Sequence, residues 1–122
     1  MGNHIYYARY LDILEAARGE FFRQLGSTFL QLQQADTIFP VIESRLIYKG
    51  PARYDDLLTV EIWVSEMSGA RLNFGSRILN ETGKLLVEAE TKHVCTTQDD
   101  KPKRLPKELA ERLQSFYAAK SE

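Results

Sequence analysis

Cysteine is nearly absent from this sequence of 122 residues, in which Cys95 is the single thiol. One cysteine excludes an internal disulfide framework and a zinc site built on several cysteines. Net charge is also small, because 16 basic and 17 acidic side chains leave a balance of -1. This balance argues against recognition of nucleic acid or an anionic membrane by overall charge. No apolar run reaches the length of a transmembrane helix, and the N-terminus lacks the basic-then-apolar order of a signal peptide. The sequence therefore predicts a soluble, cytoplasmic protein.

Length and composition fit a single globular domain spanning residues 1–122. Hydrophobic residues make up 43% of the chain and charged residues 27%, which are ordinary globular values. A chain of this size buries roughly two-thirds of the surface that it exposes when unfolded, which is enough for one core.

The N-terminal segment has the apolar spacing of an amphipathic helix. One stripe, widened by Leu11 and Phe22, repeats at intervals of three and four residues: Tyr10, Leu14, Ala17, Phe21 and Leu25. Gly26 is a suitable stop just past the stripe. We predict one core-facing helix of about 15 to 20 residues, followed by a polar connection over residues 27–37.

The pattern then changes to the two-residue alternation of half-buried strands. Four such segments follow one another: Ile38–Lys49, Leu58–Ser65, Ala70–Leu79 and Leu85–Cys95. The last three are joined by short segments that end in glycine, 66–69 and 80–83, which predict hairpins and an antiparallel sheet. On the last strand, the lone His93 is predicted to be a core residue.

A charged linker, residues 98–104, leads to a second amphipathic helix, predicted over Leu105–Ala119. Its apolar stripe contains Leu109, Leu113, Phe116 and Tyr117. The element order predicts an α+β fold in which the long helix covers the apolar face of a curved antiparallel sheet. One helix cannot cover both faces of such a sheet, and Trp63 lies on the second face, so a homodimer is expected.

Four strings give the chain a resemblance to a known family. They are GNHIYYARYLDILEAAR at residues 2–18, YKGPARYDDLL at 48–58, GARLNF at 69–74 and AETKHV at 89–94. Their order and spacing resemble the hotdog-fold acyl-CoA thioesterases, in particular the 4-hydroxybenzoyl-CoA thioesterase family, over nearly the whole chain. The resemblance implies a hotdog fold, a long central helix wrapped by a curved antiparallel sheet. It also implies hydrolysis of a small acyl- or aryl-CoA with no cofactor or metal, by a homodimer that can pair into a dimer of dimers.

The sequence departs from the family pattern at its N-terminus. Family members carry a strand before the helix that ends in an aspartate a few residues ahead of the glycine matched by Gly2, and both are absent because the chain begins at Met1. Asn3 is one extra residue within the motif. We therefore expect that Met1 is not the natural start of the protein.

Thioester hydrolysis needs an activated water or a nucleophile, together with donors for the oxyanion that develops on the carbonyl. The resemblance assigns the donors to backbone amides at the start of the helix, near Tyr6, Tyr7 and Ala8, where the helix dipole is also positive. Without the family aspartate, Glu15 is the candidate carboxylate, and its alternative role is an ion pair with Arg18.

Three further residues near the helix start are catalytic candidates, each with a structural alternative. Asn3 either contacts the carbonyl or caps the helix. His4 either orients a water or is an ordinary surface histidine. Tyr7 either places its hydroxyl near the thioester or packs as an aromatic residue.

Substrate contacts are predicted from residue type and position. Ala8 belongs to the start of the helix, where backbone amides are the predicted oxyanion donors. Thr91 lies on the inward face of its strand and is a candidate contact for the pantetheine arm. Arg53, Lys103 and Arg104 are candidates for the phosphates of coenzyme A, against the alternative of solvated basic residues.

The competing interpretation of the whole chain is a hotdog dimer without catalysis, either acyl-CoA-binding or purely structural, that lacks the family aspartate. Fold alone does not choose between these functions.

Overall fold

The computed structural model describes residues 7–53 and 55–116, without the side chains of Tyr7, Ala8 and Phe29. Its elements follow one another as α1 (Tyr7–Gln24), α2 (Phe29–Gln34), β1 (Val41–Tyr48), β2 (Thr59–Ser68), β3 (Arg71–Leu79), β4 (Leu85–Val94) and α3 (Lys107–Gln114). The predicted α+β class is confirmed. The expectation that a family strand is missing ahead of α1 concerns residues outside the described ones.

α1 is the long helix that the apolar stripe predicts. It runs for 18 residues and buries Tyr10, Leu14, Phe21 and Phe22. Gly26 ends it with a φ of +93°, in the left-handed region that glycine adopts without steric cost. Leu11 differs from the prediction, since it is 45% exposed on a flank of the helix that the sheet does not cover.

α2 lies within residues 27–37, for which the sequence predicts only a polar connection. Thr28 caps it by accepting a hydrogen bond from the amide of Gln31, while the Gln31 side chain accepts one from the amide of Thr28. This reciprocal capping box stabilises even a six-residue helix. The spacing Thr-x-x-Gln ahead of Leu32 was the available signal.

The four strands form one antiparallel sheet in the order β1-β4-β3-β2. The predicted turn at 66–69 is wrong, because β2 continues to Ser68 and pairs there with Arg71. A register shift between Val64 and Glu66 interrupts the alternation of inward- and outward-facing side chains. The sequence pattern of β2 therefore ends before the strand itself does. Gly69 makes the actual turn, with a φ of +60°.

α1 packs on one face of the sheet and closes two apolar clusters. The first cluster joins the C-terminal half of α1 to the sheet and to α3: Phe21, Phe22, Leu32, Val64, Leu72, Phe74, Leu109 and Leu113. The second joins the N-terminal half of α1 to the other end of the strands: Tyr10, Leu14, Ala52, Ile78, Leu86 and Val87. Burial of these side chains is the main stabilising contribution to the fold.

The opposite face of the sheet carries charged side chains and one tryptophan. Arg77 Nη2 lies 2.8 Å from a carboxylate oxygen of Glu61, and the Arg77 guanidinium carbon lies 5.7 Å from the centre of the Trp63 ring. The indole rests on Gly75, where a Cβ atom would come within 2.5 Å of the ring. Glycine at this position therefore lets the tryptophan lie flat against the strand.

α3 covers Lys107–Gln114 of the predicted Leu105–Ala119, and residues 117–119 of that prediction lie outside the described part of the chain. Pro106 occupies its N-cap, and a residue before proline disfavours helical angles, so Leu105 stays outside the helix. Leu109 and Leu113 are buried as predicted, whereas Phe116 is 38% exposed and Tyr117 lies outside the described residues. Within residues 7–53 and 55–116, no helix has both the length and the apolar character needed to cross a bilayer.

Candidate functional site

A cavity of about 370 Å³ opens beside α1, between α2 and the segment that leads into β1. Its walls combine two charged groups, a histidine and aromatic rings, and the lining residues include Glu15, Arg18, Phe22, Thr37, Phe39, Phe74 and His93. Phe22 stacks on Phe39 with ring centres 5.5 Å apart, and Phe74 meets the His93 ring edge to face at 5.6 Å. The cavity thus has largely apolar walls with a few polar groups, the composition of a small-molecule site.

His93 is buried and has both ring nitrogens engaged. Its Nδ1 lies 3.0 Å from the carbonyl oxygen of Phe39, and its Nε2 lies 2.9 Å from the hydroxyl oxygen of Thr91. A carbonyl only accepts, so Nδ1 donates to Phe39 and, in the neutral ring, Nε2 accepts the Thr91 hydroxyl. Burial lowers the pKa of His93 to about 4, and the positive charge of Arg18 adds to this effect. The sequence prediction of a core histidine is confirmed.

The lowered pKa of His93 makes stability depend on pH in a defined direction. The folded protein binds this proton only near pH 4, whereas the unfolded chain binds it below about 6.5, so acid favours unfolding. From this group alone, we expect the free energy of unfolding at pH 5.5 to be about 1.4 kcal/mol lower than at pH 7.5. Urea denaturation at the two pH values measures the difference.

The matched variant for this measurement is His93→Gln, which removes the titrating ring. The variant is expected to be less stable at both pH values but to lack the histidine contribution to the pH dependence. Equal losses in the two proteins between pH 7.5 and 5.5 would contradict the prediction.

Arg18 lies in the wall of the cavity and is only 9% exposed. Burial lowers its pKa, and the nearby Glu15 carboxylate partly offsets that effect. The predicted alternative role for Glu15, a direct ion pair with Arg18, is not formed, since none of the salt bridges between described residues includes either side chain. The sequence does not predict Arg18 as a site residue, although it lies four residues after Leu14 and four before Phe22 on the buried stripe of α1, because its charge and the nearby Glu15 favour an ion pair.

Glu15 also lines the cavity, with an exposed side chain. It is the carboxylate among the described lining residues, whereas Asp12, which is also exposed on α1, is not one of them. The axial rise from Arg9 to Glu15 is about 9 Å, and helical side chains lean toward the N-terminus. From the cavity wall, the Glu15 side chain is therefore expected to lean toward the start of α1.

Within the described residues α1 begins at Tyr7, so the amides of its first described turn have no carbonyl acceptor in that part of the helix. Ala8 is the second residue of that turn. Tyr7 and Ala8 belong to that turn, and the role of their amides as oxyanion donors stays a prediction. Tyr6 and the side chain of Tyr7, with its predicted hydroxyl contact, lie outside what the structure describes. The predicted roles of Asn3 and His4 fall outside the described residues and stay predictions.

The predicted substrate-binding residues are not gathered in one place. Thr91 is buried and its hydroxyl is engaged by His93. Lys103 donates to the carbonyl oxygen of Asp36 and the hydroxyl of Thr37, which ties it to the rim of the cavity. Arg53 and Arg104 are exposed, and neither is among the described lining residues of the cavity. A role for any of them in binding coenzyme A stays a prediction.

Cys95 is fully buried, and burial raises the pKa of its thiol, so the residue packs as a small apolar side chain. In the part of the chain that the structure describes, no group of histidine, cysteine or carboxylate side chains is arranged to hold a metal ion.

Comparison with known proteins relates this chain to thioesterases. The family model described as the thioesterase-like superfamily matches residues 1–113. The acyl-CoA thioesterase YbgC of Haemophilus influenzae is 37% identical over 110 residues, which cover 88% of this chain and 80% of that protein.

Two solved structures share the fold over most of their length. A DHNA-CoA thioesterase from Staphylococcus aureus superposes with a TM-score of 0.86 at 27% identity, covering 93% of this chain and 78% of the other. A hypothetical protein from Thermus thermophilus superposes with a TM-score of 0.87 at 29% identity, covering 93% and 87%. The predicted hotdog architecture is confirmed by these likenesses.

Proposed function

The chain belongs to the thioesterase-like superfamily, and from that premise we propose that it is an acyl-CoA thioesterase. The observation that carries the proposal is the match of 37% identity to an acyl-CoA thioesterase over most of both chains. The cavity beside α1 supports it, because its largely apolar walls suit an acyl group and the Glu15 carboxylate among them can act on a water. The competing non-catalytic interpretation is not favoured, since the named relatives are hydrolases.

The proposed reaction uses the start of α1 and Glu15. First-turn amides of α1 donate to the thioester carbonyl oxygen, and the Glu15 carboxylate takes a proton from a water that attacks the carbonyl carbon. The bond from the water oxygen to carbon forms, and negative charge moves to the carbonyl oxygen beside the amides. The carbon–sulfur bond then breaks, the sulfur of coenzyme A takes up the proton, and the carboxylic acid is released. Water and the chain's own groups balance the reaction.

A panel of acyl- and aryl-CoA thioesters tests the function. The expected result is release of free coenzyme A thiol, followed with a thiol-reactive dye, from at least one aliphatic or aromatic thioester. The S. aureus structure makes hydroxylated aryl-CoA thioesters one arm of the panel. Binding of acyl-CoA without any thiol release across the panel would favour the non-catalytic interpretation instead.

We also propose a cytoplasmic homodimer, or a pair of such dimers, with β1 as the subunit contact. Within the described sheet β1 is an edge strand, and four of its side chains are exposed apolar groups: Val41, Ile42, Ile47 and Tyr48. An edge strand with exposed apolar side chains is a template for pairing with another chain. A second copy paired there would extend the sheet and lie against the rim of the cavity, to which Val41 belongs. A single buried thiol, Cys95, suits a reducing compartment.

Substitution of Ile42 tests the contact. Ile42→Glu places a charge on β1, where the native side chain is 56% exposed in the isolated chain, and it should shift the protein from dimer to monomer. The matched control is Leu57→Glu, because Leu57 is 72% exposed but lies in the loop before β2. Mass in solution by sedimentation or light scattering is the measurement. A monomeric parent protein, or an Ile42→Glu variant that stays dimeric, would contradict this contact.

A further inference from the structure

Arg18 is a buried positive charge that lacks a direct counter-ion among the described residues. The side chain is 9% exposed, and none of the described hydrogen bonds or salt bridges includes its guanidinium. An arginine does not lose its proton in a protein, so it stays charged even where burial lowers its pKa. Buried charges are ordinarily paired, because an isolated one carries a large desolvation cost. A guanidinium that lines the cavity without a direct counter-ion is therefore suited to bind an anion.

The groups around Arg18 do not supply that anion. His93 is neutral at physiological pH, and its ring nitrogens are taken by Phe39 and Thr91. Glu15 acts on Arg18 only at longer range and leaves its own side chain exposed to solvent. The remaining walls are mainly apolar, with Phe22, Phe39 and Phe74 among them. Such walls suit methylene groups or a ring, followed by a single anionic group at the guanidinium.

The position of Arg18 along α1 agrees with the far end of a bound acyl group. The axial rise from Tyr7 to Arg18 is roughly 16 Å, and the arginine side chain leans back over several ångströms of that distance. A thioester carbonyl held at the first turn of α1 would thus be separated from the guanidinium by about the length of a medium acyl chain.

We propose that Arg18 is the specificity-determining residue of this cavity and binds an acyl group that carries a carboxylate at the end remote from the thioester. The planar guanidinium matches a carboxylate through two parallel hydrogen bonds. The inference rests on the proposed thioesterase function and narrows its substrate class to the coenzyme A monothioesters of dicarboxylic acids.

The test compares thioesters that differ only at the remote end. Succinyl-, adipoyl- and suberoyl-CoA are paired with butanoyl-, hexanoyl- and octanoyl-CoA, and kcat/KM is measured for each. The parent protein should prefer the dicarboxylic member of at least one pair. Arg18→Met should lower the ratio of the two kcat/KM values in that pair by about 10- to 100-fold, the range for a lost hydrogen bond to a charged group.

Two variants separate recognition from structure. Arg18→Lys keeps the charge but not the paired donors, and it should recover part of the preference. Arg23→Met is the matched control, because Arg23 lies on the same helix, is exposed and pairs with Glu20 outside the cavity, so the ratio should stay that of the parent.

Four outcomes would overturn the inference. For the parent protein, this outcome is a preference for the monocarboxylic members. For Arg18→Met, it is either an equal loss of activity on both members of a pair in a folded protein, or dissociation into monomers with an unchanged ratio of the kcat/KM values. For Arg18→Lys, it is a preference for the dicarboxylic member no greater than that of Arg18→Met. If neither these thioesters nor any other member of the acyl- and aryl-CoA panel is hydrolysed, the proposed function fails by itself. Affinity for the paired thioesters, measured by calorimetry, then decides on Arg18, and equal affinities would reject its role.

Discussion

Glu15→Gln is expected to lower kcat for thioester hydrolysis by about 100- to 10,000-fold, the range for loss of a general base. Glutamine keeps the size and hydrogen-bonding capacity of the side chain but cannot take the proton from water. Glu15 is exposed, so the substitution should leave the midpoint of urea denaturation nearly unchanged. The measurement is steady-state release of coenzyme A thiol from the best substrate of the panel.

The matched control is Asp12→Asn on the same helix. Asp12 is also exposed but does not line the cavity, so this variant should retain the parent kcat. If hydrolysis by the Glu15→Gln variant persists at the parent rate, the helix carboxylate is not the base, and the activated water must be held by another group.

Ala8→Pro is expected to lower kcat by about 100- to 1,000-fold, the effect of removing one oxyanion donor. Proline has no amide hydrogen, and the first turn of a helix tolerates it because the amides there have no helical acceptor. Ala8 is the second residue of α1, so the helix should survive. The measurement is kcat together with helix content by circular dichroism.

Ala8→Gly is the control at the same position, since it also alters the side chain but keeps the amide donor. It should retain most of the parent kcat. Equal activity of the proline and glycine variants would show that the Ala8 amide does not contact the reacting carbonyl.

Much of the fold could be predicted from local pattern. The stripe through Tyr10, Leu14 and Phe21 and the alternation along the strands depend on neighbours a few residues away, so they are visible in the sequence. The turn at the end of β2 could not be placed, because the register shift near Val64 breaks the alternation on which the prediction depends. The sequence predicts no helix at α2, because the polar composition of residues 27–37 is typical of a connection, although the capping box of Thr28 and Gln31 is present.

The site was predicted only where one helix carries it. Glu15 and the first-turn amides lie on the same element, so their relation follows from helix geometry. The cavity itself joins Arg18, Thr37, Phe39 and His93, which are brought together by the path of the chain from α2 into the sheet. No local sequence pattern predicts that these residues lie side by side. The sequence therefore predicts for Arg18 only an ion pair with Glu15 on the same helix.

The single tryptophan of the chain, Trp63, rests on Gly75 on the face of the sheet opposite α1. Its fluorescence should therefore respond when the strands separate, while a molecule entering the cavity on the other face leaves the indole's surroundings intact. Intrinsic emission thus offers a readout of denaturation that is independent of ligand occupancy. Every variant discussed above keeps this fluorophore, so loss of folding and loss of turnover can be told apart in one sample.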